Sequence, residues 1–133
     1  MPMLYVIQNG YNGVPMIPSE NIVYCISSVK KILDLELDFI FTNGHAKSGL
    51  SNFYEKDKIN EIGSILDFVA IKAIWWRDDL DVKRRKEAEF LVLNDIPISG
   101  ILGYAVYNEN AKIKLEELGI FSNKIVIKPD YYF

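Results

Sequence analysis

Arg84-Arg85-Lys86-Glu87-Ala88-Glu89-Phe90-Leu91-Val92 is the stretch on which the fold turns. A dense basic run gives way to an apolar one, and two carboxylates sit at the junction. Ala88 to Leu93 is continuous enough to predict a buried strand. Glu89 then stands at the mouth of that strand, one residue from the core. A carboxylate in this place can be held rigidly in a cleft, as a catalyst must be. Local sequence alone favours the plainer role of a solvated charge where strand meets loop, because most glutamates are exposed.

Working outward, Met3 to Ile7 and Ile22 to Ile26 read as strands, and Phe39 to Phe41 as a third that leads into the corner Asn43-Gly44-His45. Ser27 or Ser28 can cap a short helix to about Asp34. Leu50, Phe53 and Tyr54 suggest a helix. Ile62, Ile65, Leu66, Val69, Ala70, Ala73 and Ile74 recur near a 3.6-residue period and suggest another, ending at Trp75-Trp76. Arg77 to Arg85 reads as a charged connection. Gly100 to Val106 and Lys124 to Lys128 read as strands, and Asn108 to Leu118 as an amphipathic helix stopped by Gly119. The expected class is α+β: about six strands in a mixed or antiparallel sheet with helices packed against it, residues 1–133 forming a single domain.

The 133 residues are half hydrophobic and one quarter charged, an ordinary globular balance. The net charge of -3 argues against bulk electrostatic binding of nucleic acid. Lys83, Arg84, Arg85 and Lys86 are nonetheless consecutive, and a local basic patch can serve a short single strand. The one cysteine, Cys25, can build neither an internal disulfide nor a metal cluster, and its apolar surroundings predict a small buried hydrophobe. No signal sequence opens the chain and no apolar run approaches a membrane span, so a cytoplasmic protein is expected.

Four places spread over the chain carry a resemblance: Pro2-Met3-Leu4-Tyr5, Phe41-Thr42-Asn43-Gly44-His45-Ala46, the Arg84–Val92 stretch, and Pro129-Asp130-Tyr131-Tyr132-Phe133. In this order they resemble the DarT-type DNA ADP-ribosyltransferases, bacterial toxins that move ADP-ribose from NAD to a base in single-stranded DNA. The resemblance implies an ADP-ribosyltransferase-like fold, NAD as substrate, single-stranded DNA as acceptor, no metal, and a macrodomain antitoxin as partner. It makes Glu89 the catalytic carboxylate and His45, the only histidine, a group that contacts NAD or the incoming base. Without it, a lone histidine is more often a structural hydrogen-bonder. The connection from Trp76 to Lys86 resembles the loop by which such enzymes choose their acceptor; Lys83, Arg84 and Arg85 would grip phosphates and Trp76 would stack on a base. Tyr131 and Tyr132 are expected to pack the terminus onto the sheet.

Two positions depart from the family pattern. Glu87 stands where the family often has glutamine, and Asn43 where it often has aspartate. The resemblance covers the C-terminal part of the family's domain, which implies a fold incomplete at the N-terminus. The family's NAD-seating histidine and catalytic arginine would lie before Met1, in an N-terminal segment or a partner chain. An inactive or split fragment that binds single-stranded DNA or a partner is the alternative function.

Overall fold

The computed structural model describes residues 2–10, 13–73 and 79–132. In chain order its helices and strands are α1 (Pro2–Asn9), β1 (Tyr24–Ile26), α2 (Val29–Asp34), β2 (Phe39–Thr42), β3 (Phe53–Tyr54), α3 (Ile62–Ile65), α4 (Phe68–Lys72), α5 (Leu80–Lys86), β4 (Phe90–Val92), β5 (Gly103–Val106), α6 (Glu109–Glu117) and β6 (Ile125–Ile127). The class is α+β, as expected. The strands form two three-stranded sheets rather than one. The chain divides into two compact units, residues 1–35 with 97–133, and residues 36–96.

In the first unit the sheet order is β1-β5-β6, with β1 antiparallel and β6 parallel to β5. Val106, Ala111 and Ile125 form its core, with Leu115 and Ile120 packed against them. Helix α6 is capped by Asn108, whose side chain accepts from the Ala111 N–H, and ends before Gly119 at φ +89°. Tyr132 is almost wholly buried beneath Tyr24 and Tyr107, and its hydroxyl lies 2.8 Å from the Ile22 carbonyl and 3.0 Å from that of Ala105. That hydroxyl ties the C-terminal residues to the sheet.

Two readings in this unit are corrected. Residues 3–7 belong to α1, not to a strand: Pro2 suits a first helical turn, and Gly10, at φ +70°, donates to the Val6 carbonyl at its end. Cys25 is exposed, because strand alternation turns it away from the face that Tyr24 and Ile26 share.

The second unit is built on β2, which pairs antiparallel with β3 on one side and β4 on the other. Phe39, Phe41, Tyr54 and Phe90 stack across these strands at ring separations of 4.6 to 6.4 Å. Three expected elements change. Phe53 and Tyr54 form β3, since Asn43 clips the corner into a hairpin: its N–H donates to the Asn52 carbonyl at 3.3 Å and its Oδ1 accepts from the Asn52 N–H at 2.9 Å. The expected helix over 62–74 breaks at Leu66, where Asp67 starts a new helix by accepting from the N–H groups of Val69 and Ala70. The charged connection is helical from Leu80, with Asp79 as its cap, and its four basic residues lie in the last turn, where the helix dipole favours them.

Candidate active site

All the described candidate residues lie in the second unit. Its strand register sets Thr42 opposite Glu89, one step beyond the pair Phe41 and Phe90. Thr42 is wholly buried. Its N–H donates to the Glu89 carbonyl at 2.9 Å, and its Oγ1 accepts from the Glu89 N–H at 3.0 Å. The Thr42 hydroxyl in turn donates to the Gly44 carbonyl at 2.6 Å. Glu89 therefore stands where the ladder ends, its main chain held and its side chain free to leave the strand.

The corner after β2 meets that side chain. The Ala46 N–H donates to Glu89 Oε1 at 3.0 Å, and His45 Nδ1 lies 3.3 Å from the same oxygen. Glu89 and His45, 44 residues apart in the chain, are thus brought together. The Lys47 N–H also points at His45 Nδ1, at 3.3 Å. One ring nitrogen cannot accept from Lys47 and donate to Glu89 at once. A proton on Nδ1 turns the close approach to the carboxylate into a hydrogen bond and leaves Nε2 as the acceptor nitrogen. Side chains of both residues are partly exposed, 47% for His45 and 35% for Glu89, so a ligand can reach them. Oε2 of Glu89 has no partner among the described residues.

The basic run is turned largely inward. Arg84 lies across Gly44, its side chain only 16% exposed, with Nε 2.9 Å from Asp81 Oδ1 and Nη1 3.4 Å from the Asn43 carbonyl. Its own carbonyl accepts from the His45 N–H at 3.0 Å. Arg85 is bonded to Asp67 and lies 2.8 Å from Asp81 Oδ2. Lys86 Nζ donates to the carbonyls of Ile71 and Ala73 at the end of α4, satisfying groups that the helix leaves unpaired. Lys83 has no ion-pair partner among the described residues. Trp76 lies outside the described residues. Glu87 closes α5, its N–H shared between the carbonyls of Lys83 and Arg84, and its buried Oε1 has no hydrogen-bond partner among the described residues.

These contacts shift the carboxylates in one direction. The Ala70 N–H holds Asp67 below the ordinary carboxylate range; burial opposes it, and the Arg85 charge and hydrogen bond add to the lowering. Asp81 is lowered first by its hydrogen bond to Arg84 and then by the two guanidinium charges. Thr42, Gly44, Ala46, Asp67 and Asp81 were not singled out from sequence. For Asp81 a signal existed, since Arg84 and Arg85 follow it at three and four residues, the spacing of neighbours on a helix face.

The sequence pattern of the family described as "ssDNA thymidine ADP-ribosyltransferase, DarT" matches residues 1–133. The chain is similar to a DNA ADP-ribosyl transferase of Thermus sp. (strain 2.9), 30% identical over 142 residues, covering 99% of this chain and 64% of that protein. It is similar in structure to Thermus sp. 2.9 DarT in complex with NAD+, with a TM-score of 0.83 at 29% identity over 99% of this chain and 67% of the other. The same protein in complex with ADP-ribosylated ssDNA gives a TM-score of 0.83 at 29% identity, over 99% and 64% of the two chains.

Proposed function

This chain belongs to the DarT family of ssDNA thymidine ADP-ribosyltransferases, and from that premise we propose that it transfers ADP-ribose from NAD to a thymidine base in single-stranded DNA. The observation that carries the reading is the convergence of Ala46 N–H and His45 Nδ1 on one oxygen of Glu89, at 3.0 and 3.3 Å. Cleavage of the nicotinamide bond lets nicotinamide leave neutral and builds positive charge on the ribose, as in glycoside cleavage. Glu89 Oε1 is engaged by the corner, so Oε2 is the oxygen offered to the ribose. Its negative charge stabilises the oxocarbenium-like state by preorganised electrostatics. His45, with Nδ1–H given to Glu89, presents Nε2 to an NAD hydroxyl or to the incoming base. The base nitrogen forms the new bond to the anomeric carbon as the bond to nicotinamide breaks, and gives up its proton to His45 Nε2.

Of the basic residues, Lys83 is the one we assign first to a DNA phosphate. Arg84 and Arg85 reach DNA only by leaving Asp81 and Asp67, so Arg84 mainly builds the corner that holds His45 and Arg85 mainly ties α5 to Asp67. By the family's role as a toxin, a macrodomain hydrolase that removes the ADP-ribose is the expected partner.

The test is transfer of labelled ADP-ribose from NAD to a panel of single-stranded oligonucleotides, with Glu89→Gln beside the unaltered chain. Glutamine keeps an oxygen for the Ala46 N–H but loses the charge. A charge about 4 Å from the ribose, at an effective dielectric near 20, is worth about 4 kcal/mol, or about 10³-fold in rate. No transfer by the unaltered chain, or equal transfer by both, refutes the reading.

A further inference from the structure

We propose that Thr42 is the positioning residue for Glu89, its hydroxyl fixing the carboxylate at both ends; this rests on the catalytic role given to Glu89 above. A glutamate has three rotatable side-chain bonds, and Glu89 is partly exposed, so burial alone does not fix it. Two contacts do. Its backbone is held by Thr42, and its Oε1 is held by the Ala46 N–H.

One atom makes the first contact and also holds the corner that supplies the second. Thr42 Oγ1 accepts from the Glu89 N–H at 3.0 Å, where the side chain begins. The same hydroxyl donates to the Gly44 carbonyl at 2.6 Å, two residues before the amide that grips the side chain's end. A hydroxyl has one hydrogen, and the 2.6 Å contact claims it over the 3.5 Å approach to the Glu89 carbonyl. Donor and acceptor capacities are therefore both used, one on each side of the cleft wall. In a continuing antiparallel ladder the Glu89 N–H would go to the Thr42 main-chain carbonyl. The hydroxyl takes that bond instead and draws the 42–46 corner over the glutamate. Thr42 touches neither substrate nor reacting atoms; it acts through Glu89.

Valine has the same shape and neither hydrogen bond, whereas serine keeps both. Thr42→Val is expected to lower kcat for ADP-ribose transfer about 10²-fold, the usual consequence of a misplacement near 1 Å. KM for NAD should change little, and Thr42→Ser should restore kcat to within about 3-fold of the unaltered chain. The second readout is independent of activity: amide hydrogen exchange by NMR. In Thr42→Val the amides of Ala46 and Glu89 should lose protection while those of β1, β5 and β6 keep theirs; in Thr42→Ser both should stay protected.

Full activity in Thr42→Val, unchanged protection at Ala46 and Glu89, or a serine variant that behaves like valine each overturns the proposal. Selective loss of protection together with no transfer by the unaltered chain upholds the positioning role and refutes the proposed reaction. Should Thr42→Val fail to fold, the unaltered protein decides. A slowly exchanging Thr42 hydroxyl proton with a nuclear Overhauser contact to the Glu89 amide is expected, and its absence overturns the assignment.

Discussion

Gly44→Ala tests the corner on which the site depends. A Cβ at Gly44 would sit 2.5 Å from Arg84 Nη1, 2.7 Å from Ser51 Oγ and 3.0 Å from Arg84 Cγ. Comfortable contact begins near 3.5 Å, so the guanidinium and the serine must each retreat by about 1 Å. Both are ends of flexible side chains, so the clash can be relieved, but Arg84 is mostly buried and its retreat strains its bonds to Asn43 and Asp81. Overpacking of this kind costs about 1–3 kcal/mol, and mobile neighbours put this case near 1–2 kcal/mol. With a urea slope of about 1–3 kcal/mol/M, the unfolding midpoint followed through the second unit should fall by about 0.5–1 M. Arg84→Ala removes two of the three obstructing atoms. In that background Gly44→Ala should cost roughly 0.5 kcal/mol or less, a favourable coupling in a double-mutant cycle. A strictly additive cycle, or no cost in the unaltered background, refutes the claim that Arg84 lies across Gly44 in solution.

Other contacts in the two units carry further expectations. Tyr132→Phe should lower stability by about 1–2 kcal/mol at neutral pH, since a buried hydroxyl and its carbonyl partners are uncoupled; an unchanged urea midpoint argues against it. Burial, with Tyr24 beside it, pushes the Tyr132 hydroxyl up to about 12. Because the unfolded value is lower, near 10, its contribution is complete below pH 10 and is lost as pH rises towards 12, a fall that Tyr132→Phe should lack. Asp67 and Asp81 are lowered in the fold, so what they contribute is present above about 3.8 and is lost as pH falls through their folded values; acid titration of Asp67→Asn and Asp81→Asn should show a shallower loss, and parallel curves would contradict it. Lys83→Ala should reduce the salt dependence of single-stranded DNA binding by about one unit of slope with unchanged stability; Arg85→Ala should instead destabilise the second unit, and the reverse pattern would return the DNA contact to the arginines.

How much of this was legible depends on range. Local signals held: Ser28 caps α2 and Gly119 ends α6, because the groups that satisfy a helix end lie within four residues of it. Residues 3–7 look strand-like by composition, but Pro2 and Gly10 frame a helix, and those two signals outweigh the apolar run. The 3.6-residue spacing over 62–74 was real, yet one aspartate, Asp67, broke it by offering its oxygen to two backbone amides. At the site, the nearness of Glu89 to His45 came from resemblance, not from spacing, since a separation of 44 residues carries no local signal. Thr42 was invisible for the same reason. Its partner lies 47 residues away, and a threonine in a strand is ordinary until the register places Glu89 opposite it.

The inward turn of the basic run explains a feature that composition alone makes puzzling. A carboxylate that must face a growing positive charge works best when no arginine has already neutralised it, and four consecutive cations lie within six residues of Glu89. The fold resolves the conflict through α5 and its neighbours. Asp81 takes Arg84 and shares Arg85, Asp67 takes the rest of Arg85, and the carbonyls ending α4 take Lys86. What reaches Glu89 is a backbone amide and a histidine ring, the only ion-pair partner it has among the described residues. An amide orients a carboxylate without cancelling its charge, and so does a neutral histidine that donates its Nδ1–H. On the proposed reaction, the arginines serve by where they are kept. Asp67 and Asp81, neither of them singled out from sequence, are the residues that keep them there.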